Sequence, residues 1–185
     1  MIDIGGGSTE LILDDFHVSL ELGSVRHTER FLASDPPTAE ELTRCADAVR
    51  AVLAERVPDA TRAAATAAVG VAGTVTTLAA LDLGLEHYDR ERVAGHRLTT
   101  ASARQQCARL AALPLAERRG VPSLEPERAP VIVAGAVILT EILDGFGLEA
   151  VDVSGRDILD GAAFAAAELP ERLEGAAPPG AYTCC

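Results

Sequence analysis

Hydrophobic and polar residues alternate along the first part of the chain, which is the pattern of β-strands. Residues 1–4 are mostly apolar and stop at three glycines (5–7), and residues 9–13 and 16–22 predict two more strands joined by a turn at residues 14–15. We therefore predict that the chain opens with a strand, a glycine loop and a hairpin.

The next segment changes to helical spacing. Thr38 followed by Glu41 forms a capping box, the sequence signature of a helix N-terminus. The apolar residues that follow recur every three or four positions and predict one buried helix face: Leu42, Cys45, Ala46, Val49, Leu53 and Val57.

A fully apolar run then leads through glycine directly into a second helix. Residues 67–72 predict a buried strand, and residues 74–83 predict a helix that stops at Gly84. A strand that turns straight into a helix often carries a ligand-binding loop at its carboxyl end. We expect the turn at Gly73 and Thr74 to face a ligand.

The remaining residues separate into a polar part and an apolar part. Residues 85–128 are more polar, predict helices over 102–113 and 115–119, and are interpreted as a helical insertion. The elements that follow are a buried helix over 131–146, a strand over 150–153, and a helix from a Ser154–Asp157 cap to about residue 169.

The order of these elements predicts the fold class. Three leading strands followed by alternating helices and strands favour an α/β domain with a mixed sheet covered by helices. We expect this domain to span residues 1–170. Residues 171–185, rich in Gly, Ala and Pro, are predicted to be a disordered tail.

The charge balance excludes several classes of function. The 185 residues contain 16 basic and 28 acidic side chains, for a formal net charge of −12, and every base is an arginine. A broad basic surface for DNA or an anionic membrane is therefore not expected. The lack of lysine excludes Schiff-base chemistry and a P-loop lysine. An anion would have to be bound by backbone N–H groups, a metal or single arginines.

Cysteine usage and hydropathy indicate the compartment. The four cysteines include no Cys-x-x-Cys pair, so neither a zinc site nor a disulfide framework is predicted. No signal-peptide pattern is visible. No apolar run reaches the roughly 18 residues of a membrane span. We expect a cytoplasmic protein.

The segment Asp3-Ile4-Gly5-Gly6-Gly7-Ser8-Thr9-Glu10 carries the clearest candidate chemistry. Its glycines let the backbone approach a ligand closely, and successive N–H groups together with the two hydroxyls suit a phosphate. Asp3 could hold Mg²⁺ directly or through water, and Glu10 offers a second carboxylate. The alternative is an ordinary glycine-rich hairpin in which Asp3 is a turn residue.

A second candidate is the segment Gly70-Val71-Ala72-Gly73-Thr74-Val75-Thr76-Thr77. Its glycines lie on a strand-to-helix turn and leave a helix N-terminus open, where the dipole and free N–H groups favour phosphate. The alternative is tight packing of the helix on the strand, with Thr74 as a plain N-cap.

Taken in order, these segments resemble one family. The similarity to the exopolyphosphatase and guanosine pentaphosphate phosphohydrolase (Ppx/GppA) family is carried by the two glycine segments, Ser19-Leu20-Glu21-Leu22-Gly23-Ser24-Val25-Arg26, Glu127-Arg128-Ala129-Pro130 and Val153-Ser154-Gly155-Arg156-Asp157. The resemblance covers about residues 2–168. It implies a ribonuclease H-like lobe of the actin-like ATPase fold, and Mg²⁺-dependent hydrolysis of polyphosphate or guanosine pentaphosphate.

The resemblance also implies residue roles. Asp3 would lie at the Mg²⁺ ion and Glu10 beside the attacked phosphorus, which makes these two the catalytic candidates. Arg128 would contact an anion, although a surface arginine that caps the loop before the buried helix is equally open. Phosphate would be bound by Gly5, Gly6, Gly7, Ser8, Thr9, Gly73, Thr74 and Arg128.

Two departures from the family pattern affect the expected activity. Pro130 stands where the family usually has an acid. Family members also carry a first lobe with another phosphate motif and the glutamate regarded as the catalytic base, whereas these residues begin at the second motif. We therefore expect the second lobe of a two-lobed enzyme, with little or no hydrolysis by itself.

Other functions stay open at this point. The chain could be a non-catalytic module that binds polyphosphate or a guanosine phosphate, or a subunit of a split enzyme that docks with a first lobe. A kinase-like relative that transfers phosphate from ATP fits the glycine segments less well. Apolar surface exposed where a first lobe docks would favour a homodimer. Neither DNA nor a membrane is an expected partner.

Overall fold

The computed structural model describes residues 1–156. The strands in this range are β1 (Ile2–Ile4), β2 (Thr9–Leu13), β3 (Phe16–Leu20), β4 (Val69–Val71), β5 (Arg97–Thr99) and β6 (Ala150–Val153). The helices are α1 (Ser24–Phe31), α2 (Ala39–Arg56), α3 (Asp59–Ala64), α4 (Ala72–Asp82), α5 (Arg90–Val93), α6 (Thr100–Ala111), α7 (Leu115–Arg118) and α8 (Ile132–Gly145). None of these helices has the length and apolar character needed to cross a membrane.

The strands form one mixed sheet in the order β3-β2-β1-β4-β6-β5. Strand β1 pairs antiparallel with β2 and parallel with β4, β6 runs parallel to β4, and β5 closes the far edge antiparallel to β6. Because β1 and β4 are parallel neighbours, the loops that follow them leave the same edge of the sheet. Both glycine segments therefore meet at one edge.

The first three strands have one buried and one open face. Ile4, Leu11 and Leu20 are at most 3% exposed and belong to the core. Alternate residues of a strand point to opposite sides of the sheet, so Asp3, Glu10 and Ser19, which are register partners across β1, β2 and β3, share the open face. A polar row crosses three strands there.

Helix α8 is the centre of the helical layer. Every residue from Ile132 to Leu143 except Glu141 is buried, and the helix packs against α1, α2, α4 and α6. Its leucines and isoleucines each contribute about 1.5–3 kcal/mol by leaving water. Helix α4 is likewise buried from Thr74 to Leu81. The N-terminal ends of both helices are thereby held in fixed positions.

Most elements agree with the sequence analysis, and the α/β fold class with a mixed sheet is confirmed. The predicted capping box is present, since the Thr38 hydroxyl accepts the Glu41 N–H at 3.2 Å and the Glu41 carboxylate accepts the Thr38 N–H at 2.8 Å. The bounds of β4, α4, α6 and α8 lie within two residues of the predicted ones.

Two parts of the prediction need correction. The strand predicted over 16–22 ends at Leu20, and α1, which no pattern predicted, follows it. The segment 85–128, interpreted as a helical insertion, also supplies edge strand β5. This strand has three residues, of which only Leu98 is apolar. Three residues are too few to show an alternation of apolar and polar positions. The predicted last helix and disordered tail lie outside the described residues.

Candidate functional site

The glycine loop between β1 and β2 is shaped by helix α1. The carbonyl of Gly5 accepts the Ser24 N–H at 2.9 Å, and the carbonyl of Gly6 accepts the Val25 N–H at 3.0 Å. The loop is closed by the Gly5 N–H, which donates to the Ser8 carbonyl at 2.9 Å. The first N–H groups of a helix have no partner within the helix. Here the loop carbonyls satisfy them, and α1 fixes the loop in return.

The N–H groups of the same loop stay open. Within residues 1–156, no acceptor is hydrogen-bonded to the backbone N–H groups of Gly6, Gly7 or Ser8. Gly6 and Gly7 are exposed, and Ser8 is half-buried. Successive backbone N–H groups of this kind form a concave binding site for anions. Of the loop residues predicted to bind phosphate, these three offer free donors, whereas Gly5 uses its N–H within the loop.

Thr9 and Gly23 support the loop from the protein side. Thr9 is fully buried, and its hydroxyl donates to the Leu22 carbonyl at 2.5 Å. This hydroxyl, predicted to contact phosphate, is therefore committed to joining β2 to the end of the hairpin. Gly23 allows the close approach of the two backbones, because a Cβ there would lie 2.2 Å from the Gly6 carbonyl oxygen.

The carboxylate of Glu10 is held by two serines. Its Oε1 atom accepts hydrogen bonds from the Ser8 hydroxyl at 2.7 Å and the Ser19 hydroxyl at 2.8 Å. Its Oε2 atom accepts none from the part of the chain that the structure describes. Asp3 lies directly opposite on β1, and the Cβ atoms of such pairs are about 4.5–5.5 Å apart. Two carboxylates thus share the open face beside the loop.

The donor set suits Mg²⁺ in one particular way. Residues 1–156 contain no group of three or more His, Cys, Asp or Glu side chains arranged to hold a metal ion. Mg²⁺ in phosphate chemistry, however, commonly uses one or two carboxylates, several waters and the substrate phosphate. Asp3 and Glu10 fit such a shared site, and they do not form a closed protein cage.

The turn from β4 into α4 has a strained backbone. Ala72, the first residue of α4, has φ +63°, in the left-handed region that costs a non-glycine residue about 1–2 kcal/mol. The N-cap residue, Val71, makes no side-chain capping hydrogen bond. Thr74 is 3% exposed and lies so close to Gly135 of α8 that a Cβ there would be 2.8 Å from its Cγ2 atom. Thr74 can therefore offer a ligand little beyond its backbone N–H.

Arg128 lies directly on the Cα atom of Gly73. A Cβ at residue 73 would lie 1.8 Å from Nη1 of Arg128 and 2.2 Å from its Cζ atom. The Arg128 Nη2 atom donates to Glu125 Oε2 at 3.0 Å, while its buried Nε atom has no hydrogen-bond partner within residues 1–156. The side chain is 32% exposed. The partly accessible guanidinium group of Arg128 thus occupies the space that Gly73 leaves by having no side chain. We call this space the seat of Arg128.

The structure brings the candidate residues together and adds others. The glycine loop, the Asp3–Glu10 pair and the Gly73–Arg128 contact lie at the edge where β1 and β4 end. Sequence analysis missed the support given by Ser19, Ser24 and Glu125. The two-residue turn of the hairpin places Ser19 opposite Glu10, and Glu125 precedes Arg128 by three residues, so both had a readable signal. Ser24 had none, because its role depends on helix α1.

Comparison with known sequences gives a consistent result. The sequence model described as the Ppx/GppA phosphatase family matches residues 1–167. Exopolyphosphatase 2 of Mycobacterium tuberculosis is 36% identical over 175 residues, covering 90% of this chain and 55% of that protein. A bifunctional 3-dehydroquinate synthase/phosphatase of Fusobacterium nucleatum is 33% identical over 170 residues, covering 88% of this chain and 25% of that protein.

Solved structures show the same similarity. The Aquifex aeolicus PPX-GPPA enzyme has a TM-score of 0.81 and 32% identity, covering 89% of this chain and 55% of that one. The crystal structure of an exopolyphosphatase-like protein also gives a TM-score of 0.81, at 33% identity, covering 88% of this chain and 57% of that one. The chain spans about half the length of the exopolyphosphatases that it resembles.

Proposed function

The chain belongs to the Ppx/GppA phosphatase family, and we propose that it supplies the phosphate-binding wall of a phosphoanhydride hydrolase. The substrate is inorganic polyphosphate or guanosine pentaphosphate, and the product is orthophosphate. The single observation that carries this proposal is the row of open N–H groups at Gly6, Gly7 and Ser8 beside the paired carboxylates of Asp3 and Glu10.

Binding of the terminal phosphate begins with these backbone donors. Its oxygens accept the three loop N–H groups, which need no reorganisation because α1 already holds the loop. The guanidinium of Arg128 adds a charged, planar donor pair suited to phosphate oxygens. To make this contact, the Arg128 guanidinium turns partly away from Glu125, so that its hydrogen bond to that carboxylate weakens while the hydrogen bond to the ligand forms.

Hydrolysis joins a water oxygen to the terminal phosphorus and breaks the bond to the bridging oxygen, while the water gives its proton to a base. Glu10 orients this water through Oε2, and the two serine hydroxyls on Oε1 keep the carboxylate from rotating. Asp3, together with the phosphate and with water that Glu10 orients, would hold Mg²⁺, whose charge would neutralise negative charge developing on the phosphate.

These residues form one wall of a reaction site. The base and the opposing positive charge come from a first lobe, on the same polypeptide or on a partner. The 185 residues by themselves are therefore expected to bind the anion with little turnover. Because the sequence shows no cysteine framework for disulfides, we propose the cytoplasm as the compartment.

A calorimetric titration tests the proposal. The purified chain is titrated with medium-length polyphosphate, with and without Mg²⁺, and orthophosphate release is measured in the same samples. We expect Mg²⁺-dependent binding that Asp3→Asn weakens, with little release. Asp15→Asn, at an exposed acid in the hairpin turn, is the matched control and should bind as the unmodified chain does. A folded chain that binds no polyphosphate would contradict the proposal, and rapid release would contradict the one-wall assignment.

The second candidate is a non-catalytic binding module. It is favoured by one observation: the open N–H groups and the seated Arg128 can hold an anion without any base. Mixing the chain with a polypeptide that carries the first lobe of a family member separates the two functions. Restored orthophosphate release indicates an enzyme lobe, and saturating binding without release indicates the module.

A further inference from the structure

Arg118 is a buried arginine in α7 that lies outside the residues considered so far. It is 3% exposed, and its guanidinium donates to three backbone carbonyls. Nε reaches the carbonyl of Leu110 at 2.9 Å, Nη2 that of Leu113 at 2.7 Å, and Nη1 that of Ala129 at 3.3 Å. Arg118 therefore joins the end of α6 to the segment that leads into α8.

The burial of this arginine carries an energetic penalty. No carboxylate of the described residues lies within salt-bridge distance of it, and burial lowers its pKa, with the charge of Asp35 acting in the other direction. A buried charge without an ionic partner is unfavourable unless its hydrogen bonds compensate. A hydrophobic side chain would avoid the penalty of burying a charge, but it would leave these carbonyls without the hydrogen bonds that Arg118 donates. The role of Arg118 therefore lies in the three carbonyls that it fixes.

The third carbonyl is the informative one. Ala129 is fully buried and directly follows Arg128. The Arg128 carbonyl in turn accepts the Val131 and Ile132 N–H groups, both at 3.0 Å, where α8 begins. The Arg128 carbonyl is thus held by the start of α8, and the carbonyl of the next residue is held by Arg118. Its guanidinium then reaches the seat on Gly73, 1.8 Å from where a Cβ would stand.

We propose that Arg118 is a positioning residue for Arg128: by holding the Ala129 carbonyl, it sets the backbone from which the Arg128 guanidinium reaches the anion. The inference rests on the proposed function, because the anion contact of Arg128 is part of that function. Arg118 itself touches no ligand. Its influence on polyphosphate binding passes entirely through Arg128.

A double-mutant cycle tests this dependence. Polyphosphate binding is measured for the full chain and for Arg118→Gln, Arg128→Gln and the double variant. Loss of a hydrogen bond to a charged group weakens binding by roughly 10–100-fold. Because Arg118→Gln loosens the Arg128 contact without removing it, we expect about tenfold weaker binding for Arg118→Gln. The double variant should bind within about twofold of Arg128→Gln, since two mutations that act through one contact are not additive.

Two further variants separate positioning from charge and stability. Arg119→Gln removes the same charge from the exposed neighbouring position and should bind as the unmodified chain does. Arg118→Lys keeps the buried charge but cannot reach all three carbonyls, so it should lie between the unmodified chain and Arg118→Gln. If Arg118→Gln fails to fold, the Lys variant takes its place in the cycle.

Hydrogen exchange supplies a readout that needs no ligand. In Arg118→Gln or Arg118→Lys, the amides of Ala129, Val131 and Ile132 should exchange about tenfold faster, because local opening becomes easier. The amide of Val49 in α2 is the internal reference and should not change. Unchanged exchange at residues 129–132 overturns the inference, whether or not polyphosphate binds. Absence of polyphosphate binding is a separate outcome, which contradicts the proposed function.

Polyphosphate binding tests the inference independently of hydrogen exchange. If the unmodified chain binds polyphosphate and Arg128→Gln weakens binding, but Arg118→Gln binds normally or multiplies the Arg128→Gln effect, then Arg118 does not act through Arg128. In that case the inference fails while the proposed function stands. If Arg128→Gln has no effect on binding, the inference fails together with the Arg128 contact of the proposed function, while binding by the glycine loop stands.

Discussion

The loop after β1 and the turn after β4 lie at the same edge of the sheet but expose different groups to the anion that we propose binds there. The loop offers backbone N–H groups, fixed from behind by helix α1. The turn offers a guanidinium that arrives from the 125–130 segment and rests on Gly73. The position of the loop depends on hydrogen bonds between main chains. The position of the guanidinium depends on the space beside the Cα atom of Gly73, which has no side chain.

This difference predicts different sensitivities to mutation. The turn should fail when a single methyl group fills the seat of Arg128. The loop should fail when its support from α1 is lost, whether or not a loop residue changes. Four changes to the protein or its conditions should reveal this contrast, with effects that decrease from the first to the last.

Gly73→Ala should have the largest effect. Its Cβ would collide with the Arg128 guanidinium, and hydrogen bonds to charged groups contribute about 1.5–3 kcal/mol, or roughly 10–100-fold in affinity. Polyphosphate binding by calorimetry should weaken by that factor, and combining the change with Arg128→Gln should add little. Gly120→Ala, where a Cβ meets its nearest atom at 3.4 Å, is the control. Normal binding by Gly73→Ala would show that the seat is unnecessary.

Low pH should destabilise helix α1, and with it the loop that α1 supports, because His27 becomes protonated. This side chain in α1 is 4% exposed, and burial lowers its pKa below 6.5, helped by Arg30 and Arg26 and opposed by the hydrogen bond to the Gly23 carbonyl. The unfolded state therefore binds a proton that the folded state does not. Stability should be highest above pH 6.5 and fall toward the lowered pKa, by at most about 1.4 kcal/mol per pH unit.

Chemical denaturation between pH 8 and pH 5 measures this effect. His27→Gln should flatten the profile, whereas His17→Gln, at an exposed position of β3, should leave it as it is. Hydrogen exchange at pH 5.5 sharpens the comparison: amides of Ser24 and Val25, which donate to the loop, should exchange faster, while those of α4 should not. Equal acceleration in both places would contradict a separate support for the loop.

Ser19→Ala should slow turnover without weakening binding. It removes one of the two hydrogen bonds on Glu10 Oε1, and a typical hydrogen bond contributes about 0.5–1.5 kcal/mol. With a first lobe present, kcat should fall about 2–10-fold while KM is unchanged, and Ser19→Thr should restore kcat. A rise in KM with constant kcat would instead assign Ser19 to substrate binding.

Ala72→Gly should have the smallest effect, and in the opposite direction. Glycine adopts φ +63° without strain, but loses more conformational entropy on folding, so a net gain of about 0.5–1 kcal/mol is expected. Thermal unfolding measures it. Ala101→Gly, at an exposed position of α6, should destabilise the protein by a similar amount. Destabilisation by Ala72→Gly would mean that the turn is not strained.

Sequence reasoning succeeded where the signal is local. Strands β1–β3, the capping box at Thr38 and the buried α8 follow from periodicity and from short hydrogen-bonding motifs. The two glycine segments also stand out, because their residue types fit phosphate. Helix α1 could not be predicted, since its N-terminal N–H groups are satisfied by carbonyls of Gly5 and Gly6, about twenty residues away in sequence.

The role of individual side chains depends on the same long-range contacts. The sequence predicted Thr9 as a phosphate ligand. In the structure its hydroxyl donates a hydrogen bond to the Leu22 carbonyl, a contact that requires the hairpin to be formed. The seat of Arg128 on Gly73 joins residues 55 positions apart along the chain, and no local pattern contains that information. The residue types were predictable, and their contacts were not.

The register of the hairpin also couples the correct assembly of the site to the stability of the fold. Asp3, Glu10 and Ser19 align only when β1, β2 and β3 pair as observed, and a slip of one residue turns a strand's side chains to the opposite face. A misfolded chain of that kind would force Glu10 into the core and Leu11 into water. Faulty copies should therefore be unstable before they are merely inactive, so cellular quality control can remove them without testing their chemistry.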